Sequence, residues 1–428
     1  MQRHYTRRMQ NYYQRTADAT LRFPAVAGAQ QTGIVVIGGG FAGLATAFSL
    51  MERGMRDVTL LEAQRIGHGA SGRNGGFVFG GFSLDNAALV KQLGVESARA
   101  LYQLTLDAVA RIRRRITQHG MDCEAEYSGV ILANWFDDDA ALRSQQSFMQ
   151  RNFSVDWQWL SREQLGAQLL SARYTTGLHE PNAFHFHPLK YAQAEAKVLQ
   201  RGGVAVHEQS QVVRITRQGA GWQVETAHAS IQAREVVLCC GAYGENLVAP
   251  LARAVMPIAT YVMATEPLGA QLETAMRTKA AVYDTRFAFD YYRPLADTRL
   301  LWGGRISIQD RAPQDIAQLL YRDLLRVYPQ LQGVQISDAW SGLMAYAKHS
   351  MPQIGRLPTG LWYATGFGGH GVAPTTLAGE VLSQALCGEA DIPAGFSTFG
   401  LPRTFGVVGR AAAQALYWWL QWRDRLRE

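Results

Sequence analysis

A glycine-rich turn between a short apolar strand and a helix is the feature of this sequence that most constrains its fold. Residues 33–37 are a β-branched run of the kind buried in a parallel sheet, and residues 41–53 carry a helical pattern. Residues 38–40, all glycine, lie between them, and a second strand over 58–61 ends at Glu62. This order predicts a β-α-β unit of a Rossmann-type fold.

Three glycines of the turn have separate roles in holding a dinucleotide. Gly38 permits the tight turn, Gly40 lets the backbone approach a pyrophosphate, and Gly43 lets helix and strand pack closely. The helix N-terminus offers free N–H groups and a positive dipole end to the phosphates. Glu62, 19 residues after Gly43, is placed to accept hydrogen bonds from the adenosine ribose.

The glycine pattern alone is weak, because GxGxxG occurs three times in this chain. The other copies are at 67–72 and 366–371, but only the copy at 38–43 lies between a strand and a helix and is followed by an acid. A glycine turn without a ligand is the competing interpretation, and the context disfavours it.

The segment after Glu62 favours a flavin over a nicotinamide. Residues 65–76 read Arg-Ile-Gly-His-Gly-Ala-Ser-Gly-Arg-Asn-Gly-Gly, so their backbone can press against a flat ring, which NAD enzymes do not need here. The loop resembles that of the D-amino acid oxidase and glycine oxidase superfamily. Its sequence is especially similar to that of the γ-glutamylputrescine oxidase and pipecolate oxidase-like branch.

Two further segments extend the resemblance, which covers residues 33–385. Residues 237–243 look like the strand and glycine turn that return to the cofactor, and residues 363–371 resemble the C-terminal flavin loop. Neither flavin loop contains the cysteine that sometimes carries the flavin in this superfamily, so we expect non-covalent FAD. The cofactor-binding residues implied are Gly38, Gly40, Phe41, Ala42, Gly43, Glu62, Ala63, Gly69, Ala70, Ser71, Arg73, Asn74, Gly75, Gly76, Val213, Cys240, Gly241, Gly368, Gly369, His370 and Gly371.

We expect segments 289–293 and 302–305 to form the substrate side of the site, because the segments they match in the family face the flavin. Aromatic side chains there would wall a pocket, and Arg305 could bind a carboxylate through two parallel hydrogen bonds. A structural strand arginine is the alternative. The candidate catalytic residues are Arg305, Lys348 and Tyr292, and the candidate substrate-binding residues are Tyr291, Arg286, Met344 and His370.

One departure from the family pattern concerns the substrate carboxylate. Glycine oxidase-like enzymes have a Gly-Leu-Arg-Pro segment whose arginine holds the carboxylate, whereas residues 342–345 here read Gly-Leu-Met-Ala. Met344 therefore replaces that arginine, and simple α-amino acids such as glycine become poorer candidates. Lys348 could supply the missing charge or assist oxygen chemistry, or it could be a surface lysine.

The expected fold is α/β with two domains: a Rossmann-type FAD domain with a parallel sheet, interrupted by a substrate domain with a mostly antiparallel sheet. The boundaries expected are a basic extension over 1–31; an FAD domain over 32–90, 150–255 and 345–400; a substrate domain over 91–149 and 256–344; and an amphipathic C-terminal helix over 401–428.

Charge and cysteine content exclude several classes of protein. The formal charge is +7, of which residues 1–31 carry +4 and residues 410–428 carry +2, so the nearly neutral middle argues against a nucleic-acid groove. Four cysteines, of which only Cys239 and Cys240 are close in sequence, form no CxxC or Cys/His cluster and predict neither a metal site nor a disulfide framework. With no signal-peptide pattern and no run of 18 apolar residues, we expect a cytoplasmic enzyme.

The C-terminal segment 411–426 combines an aromatic cluster with a basic end. Trp418, Trp419 and Trp422 are followed by three arginines, a composition suited to the interface of an anionic membrane. Packing onto the protein's own surface is equally consistent with the pattern. Membrane seating would favour a quinone-linked electron acceptor, and a soluble enzyme would favour oxygen.

The function expected is hydride removal by flavin from the C–N bond of a small amine or amino acid, giving an imine. A cyclic secondary amino acid such as L-pipecolate is slightly favoured over a γ-glutamylputrescine-type amine, because Arg305, Arg286 and Lys348 could bind an acid. A flavin monooxygenase is less consistent, since the chain lacks the Gly-Asp dipeptide of that class. A non-catalytic FAD-binding protein is the alternative from another class.

Overall fold

The computed structural model describes residues 11–244, 247–308 and 311–428. The helices are α1 (Tyr12–Thr16), α2 (Phe41–Glu52), α3 (Asn86–Leu93), α4 (Val95–His119), α5 (Asp139–Phe153), α6 (Arg162–Gly166), α7 (Pro188–Arg201), α8 (Ala249–Ala254), α9 (Pro313–Val327), α10 (Val372–Leu386), α11 (Ala394–Ser397) and α12 (Gly406–Leu426). The strands are β1 (Gly28–Ile37), β2 (Val58–Leu61), β3 (Phe77–Val78), β4 (Val130–Ala133), β5 (Gln158–Leu160), β6 (Gly177–Glu180), β7 (Phe184–His185), β8 (Ala205–His207), β9 (Val212–Gln218), β10 (Gly221–Thr226), β11 (Ala229–Leu238), β12 (Val255–Thr265), β13 (Ala281–Asp284), β14 (Asp290–Pro294), β15 (Leu300–Ser307), β16 (Ile336–Ala347), β17 (Gln353–Arg356) and β18 (Trp362–Thr365).

The first sheet contains the predicted dinucleotide unit. Its order is β17-β18-β11-β1-β2-β8, with β9 and β10 added through β11, and the central pairs β18–β11, β11–β1, β1–β2 and β2–β8 are parallel. Residues 33–37 and 58–61 are buried, as a parallel sheet covered on both faces requires. Helix α2 crosses from β1 to β2, as the glycine turn predicts.

The second sheet has the order β16-β12-β15-β14-β13-β4-β6-β5, and all its pairs are antiparallel except β13 with β4. Helix α9 covers one face, and its Leu320 and Leu324 are fully buried against Trp302 and its neighbours. The two sheets confirm the expected fold class.

The first core packs α2, α4, α7 and α10 against the parallel sheet. Helices α2 and α10 approach closely because of Gly379, where a Cβ atom would lie 2.4 Å from the carbonyl carbon of Ala45. This contact holds the N-termini of α2 and α10 on the same side of the sheet, where both begin at glycine loops.

Several elements lie elsewhere than the expected boundaries would place them. Strands β5 and β6, expected in the FAD domain, pair with β4 in the second sheet because Trp159 and Leu178 complete its edge. Helix α4, expected in the substrate domain, packs through Leu101 and Ile112 into the first core. Residues 28–31 of the expected extension belong to β1, and residues 1–10 lie outside the described part of the chain.

Candidate functional site

A cavity of about 1240 Å³ lies where the carboxyl ends of the parallel strands face the second sheet. Ligands of open α/β sheets bind at this edge. The cavity exceeds the roughly 300–1,000 Å³ typical of a site for one drug-sized ligand, so its size suits a cofactor together with a substrate.

The glycine turn after β1 forms one wall and shows why glycine is required there. Gly38 has a φ of +112°, a conformation that side chains disfavour. A Cβ atom at Gly43 would lie 1.9 Å from the carbonyl oxygen of Gly38, and one at Gly40 would lie 2.9 Å from Ser71 Oγ. The side chain of Ser71 accepts a hydrogen bond of 2.8 Å from the backbone N–H of Phe41, which fixes the first turn of α2 against the cavity.

Glu62 lies at the end of β2 with its carboxylate beside the glycine turn. Its oxygens accept hydrogen bonds from the backbone N–H groups of Gly39 at 2.7 Å and Gln64 at 2.8 Å. Burial raises the pKa of this carboxyl above its usual value, and these backbone donors oppose the shift. A carboxylate held in this position can accept hydrogen bonds from ribose hydroxyls.

The second glycine loop is held rigidly by its own polar groups. The side chain of Asn74 donates to the carbonyl oxygens of Ala70 at 3.0 Å and Ser71 at 2.9 Å, and accepts from the N–H of Gly76 at 2.8 Å. The buried guanidinium of Arg293 donates to the carbonyl oxygen of Gly75 at 2.7 Å. The backbone of this loop is therefore presented to the cavity in one conformation, as a flat ring system needs.

The third glycine loop joins β18 to α10 and closes the opposite wall. The hydroxyl of Ser83 accepts from the N–H of His370 at 3.0 Å and donates to the carbonyl oxygen of Phe367 at 3.1 Å. The ring of His370 packs on Phe79 with centroids 4.1 Å apart, and burial lowers the pKa of His370 to about 4, so the imidazole is neutral. Helix α10 begins here and directs its N-terminus at the cavity.

The residues expected to hold the cofactor converge on this cavity with two exceptions. Gly43 and Gly76 do not line it and act instead through close packing, since a Cβ at Gly76 would lie 2.1 Å from the carbonyl oxygen of Phe186. Those lining the cavity are Gly38, Gly40, Phe41, Ala42, Glu62, Ala63, Gly69, Ala70, Ser71, Arg73, Asn74, Gly75, Val213, Cys240, Gly241, Gly368, Gly369, His370 and Gly371.

These walls fit FAD. The glycine loops leave no room for side chains, and the first N–H groups of α2 lack intrahelical partners. The partly buried carboxylate of Glu62, held by Gly39 N–H, could accept hydrogen bonds from a ribose. Burial raises the pKa of the Cys240 thiol, which accordingly stays protonated and unreactive beside the cavity.

The part of the cavity beyond the glycine loops is lined by aromatic side chains. The ring of Tyr283 lies 5.7 Å from that of Phe79 and 5.9 Å from that of Phe289, and the rings of Phe289 and Tyr291 are 6.4 Å apart. Met344 also lines this part, as expected. Such walls exclude water and favour the neutral form of an amine.

Two arginines expected to bind a substrate carboxylate reach the cavity wall but are already paired. The guanidinium of Arg286 contacts Asp284 and Asp290, both at 2.6 Å. Arg305, in the left-handed backbone region at φ +56°, contacts Asp323 through Nε at 2.8 Å. These acids raise the pKa values of both guanidiniums.

Two residues expected to be catalytic lie away from the cavity. Tyr292 is fully buried between the second sheet and α9, stacked on Trp302 at 4.3 Å with its hydroxyl 3.0 Å from that of Tyr328. Alternate strand residues face opposite sides, so Tyr291 lines the cavity and Tyr292 cannot. Lys348 is exposed, with its ammonium 5.7 Å from the ring of Phe405, and is a surface lysine.

The expected site omitted several residues that line the cavity. Phe79 and Ser83 follow the second glycine loop in sequence, and their closeness to that loop was an available signal. Tyr346 and Tyr417 reach the wall from β16 and α12. No local pattern distinguishes these two from core aromatic residues.

Comparisons with known proteins agree with this geometry. Residues 33–385 match the DAO family of FAD dependent oxidoreductases. A γ-glutamylputrescine oxidoreductase of Escherichia coli is 35% identical over 428 residues, covering 98% of this chain and 99% of its own. A glycine oxidase of Geobacillus kaustophilus is 24% identical and covers 88% and 98% of the two chains. A crystal structure of glycine oxidase from Bacillus cereus superposes with a TM-score of 0.73 at 19% identity, covering 87% of this chain and 99% of that one.

Proposed function

This chain belongs to the DAO family of FAD-dependent oxidoreductases, and we propose that it oxidises a small primary amine whose reacting carbon bears no carboxylate, of the γ-glutamylputrescine type. The observation that carries this proposal is the pairing of Arg286 and Arg305 with carboxylates of the protein itself. The FAD cofactor and the oxidoreductase class expected from the sequence are confirmed by the family match.

The arginine pairs leave no net positive charge for a substrate carboxylate on this wall. Two guanidiniums, of Arg286 and Arg305, face the three carboxyl groups of Asp284, Asp290 and Asp323. A carboxylate on the reacting carbon of the substrate would have to displace one of these acids, and the displaced acid would be left buried without a partner. An amine without a carboxylate at the reacting carbon meets no such cost.

The position of the family's carboxylate clamp supports the same conclusion. Met344 lines the cavity where the resemblance implies that glycine oxidase-like enzymes place an arginine. A thioether packs well against an aliphatic chain but cannot replace a guanidinium. The Escherichia coli relative, named for γ-glutamylputrescine, adds independent support.

The chain contributes binding and orientation to the reaction. When bound, the flavin supplies the hydride-accepting chemistry. The aromatic wall of Phe79, Tyr283 and Tyr291 would exclude water and orient the amine, whose C–H bond must come within about 3–3.5 Å of the flavin for hydride transfer. The neutral ring of His370 adds no positive charge that would repel the substrate.

L-Pipecolate, which the sequence slightly favoured, becomes the second candidate substrate. It would need a guanidinium able to leave its acidic partner, and Lys348, the other cation proposed for its carboxylate, lies on the surface. The electron acceptor is proposed as oxygen or a quinone-linked carrier, and hydrogen peroxide release in air distinguishes the two.

The test is anaerobic bleaching of the flavin by a panel of amines and amino acids. We expect γ-glutamylputrescine and related primary amines to bleach it faster than glycine or L-pipecolate. The variant Met344→Arg should weaken the response to amines and introduce a response to α-amino acids, while the control Met344→Leu should leave the preference unchanged. If L-pipecolate bleaches the wild type faster than every amine, the proposal is wrong.

A further inference from the structure

Helix α12 is anchored to the protein by one of its faces. Gln414, Tyr417 and Asp424 are buried. The Gln414 side chain accepts from Ile308 N at 2.9 Å, the Tyr417 hydroxyl from Ile306 N at 3.2 Å, and the Asp424 carboxylate from Phe287 N at 2.8 Å. These contacts, one every turn or two, fix the rotation of the helix about its axis.

The opposite face of α12 exposes large apolar side chains. Trp418, Trp419 and Trp422 are 62%, 54% and 56% exposed. Eight of the fourteen exposed large hydrophobic residues of the described chain lie between Phe405 and Leu426, so the exposure is concentrated in one patch. A contiguous apolar patch of this kind marks an interaction site. We call this patch the tryptophan face.

The charges around the tryptophan face are mainly positive. Arg423, Arg425 and Arg427 are exposed beside it. The only acid between residues 403 and 427 is Asp424, which is buried and accepts hydrogen bonds from the backbone N–H groups of Phe287 and Ala288. Arg427 also contacts Asp138 at 3.6 Å, and the Glu428 carboxylate contacts Arg326 at 2.6 Å. The face therefore presents tryptophan rings beside the guanidinium groups of Arg423 and Arg425, with a net positive charge.

We propose that the tryptophan face binds the headgroup region of a membrane containing anionic lipids. Tryptophan rings are suited to the boundary between headgroups and acyl chains, and guanidinium groups are attracted to anionic headgroups. A second copy of the same face would bring like charges together. In the described residues no helix is long and apolar enough to cross a membrane, so the contact is interfacial.

The same helix contributes to the candidate active site. Tyr417 lines the cavity and packs on Phe287, with ring centroids 5.9 Å apart. Binding through the tryptophan face consequently places the cavity wall beside the lipid surface, within one helix diameter of roughly 10–12 Å.

The test is co-flotation of the full-length, FAD-loaded protein with vesicles of phosphatidylcholine and phosphatidylglycerol, compared with phosphatidylcholine alone. We expect at least tenfold stronger binding to the anionic vesicles, weakened by added salt because the charges become screened. The triple variant Trp418→Ser, Trp419→Ser, Trp422→Ser should lose at least tenfold in binding. A control, Val95→Ser, changes an exposed apolar residue outside this face and should bind like the wild type.

Flavin content and sedimentation velocity of each variant report whether it remains folded. Absence of flotation, or equal flotation by the folded triple variant, overturns the proposal. Self-association without vesicles that the triple variant abolishes also overturns it, and would identify the face as an interface between copies. None of these outcomes depends on the substrate, so the proposed function is tested separately.

Discussion

Arg305 is paired with an acid of the protein, which indicates a structural role rather than substrate binding. The substitution Arg305→Ala distinguishes the two roles. Its partner Asp323 is 4% exposed and Arg305 itself is 15% exposed. Removing one member of a buried ion pair costs about 3–5 kcal/mol, because the remaining charge is left without a partner. The partial exposure of Arg305 places this case near the lower end, about 3 kcal/mol. At about 2–4 °C per kcal/mol, the melting temperature should fall by roughly 6–12 °C.

The kinetic expectation for the same variant is different. If Arg305 only supports the wall, kcat/KM for an amine substrate should change by less than about threefold at a temperature where the variant is folded. If it bound a substrate carboxylate, the loss would be about 2–4 kcal/mol, or roughly 30- to 1,000-fold in kcat/KM. The assays are thermal unfolding and steady-state kinetics on the same preparations.

A double variant is the control for this reasoning. Arg305→Ala combined with Asp323→Ala removes both charges. Its loss of unfolding free energy should therefore be at least about 1 kcal/mol smaller than the sum of the losses in the two single variants. An unchanged melting temperature together with a large rise in KM would refute the structural role and would indicate that Arg305 binds the substrate.

Three further predictions follow from the cofactor walls and from buried titratable groups. The purified protein should be yellow and should release intact FAD on acid treatment, as absorbance and chromatography of the supernatant would show; a colourless protein that binds NAD would contradict the cofactor assignment. Gly43→Ala, whose Cβ would lie 1.9 Å from the Gly38 carbonyl oxygen, should weaken FAD binding at least tenfold by fluorescence titration, whereas Gly166→Ala, which meets no atom within 4 Å, should not. Burial, with the Arg293 charge, lowers the pKa of His185 to about 3, so the neutral ring is favoured in the fold. The contribution of this neutral ring to the free energy of unfolding is complete above pH ~6.5. It is lost as pH falls towards 3, by at most about 1.4 kcal/mol per pH unit. Urea unfolding across this pH range should show that the free energy of unfolding falls less steeply for His185→Gln than for the wild type. Equal pH dependence of the two proteins would mean that His185 is charged in the folded protein.

The cofactor side of the site could be predicted because its requirements are local. Gly38, Gly40 and Gly43 act within one turn between a strand and a helix, and strand and helix patterns of adjacent residues identify such a turn. The second glycine loop is equally local, since Asn74 is hydrogen-bonded to residues two to four positions away. Sequence spacing therefore contains most of this geometry.

The substrate side was less predictable because its contacts join distant residues. Asp323, which pairs with Arg305, lies on helix α9, 18 residues further along the chain. Tyr291 and Tyr292 were both expected at the site, although strand alternation allows only one of them to face it. Which one faces the cavity is set by the pairing of β14 with β13 and β15, which the local sequence does not contain. For Arg286 a signal was present, since Asp284 and Asp290 lie two and four residues away.

The paired arginines also indicate where substrate preference can be changed. A guanidinium in a buried wall needs an acidic partner, and once paired it cannot bind a substrate carboxylate without leaving that acid unpaired. Changing Arg286 or Arg305 would therefore alter stability before it altered specificity. Met344 lines the same cavity but is only partly buried, so a guanidinium there could stay hydrated until a substrate carboxylate pairs with it. For this reason we expect Met344→Arg to shift the substrate preference towards α-amino acids while the ion pairs of Arg286 and Arg305 stay in place.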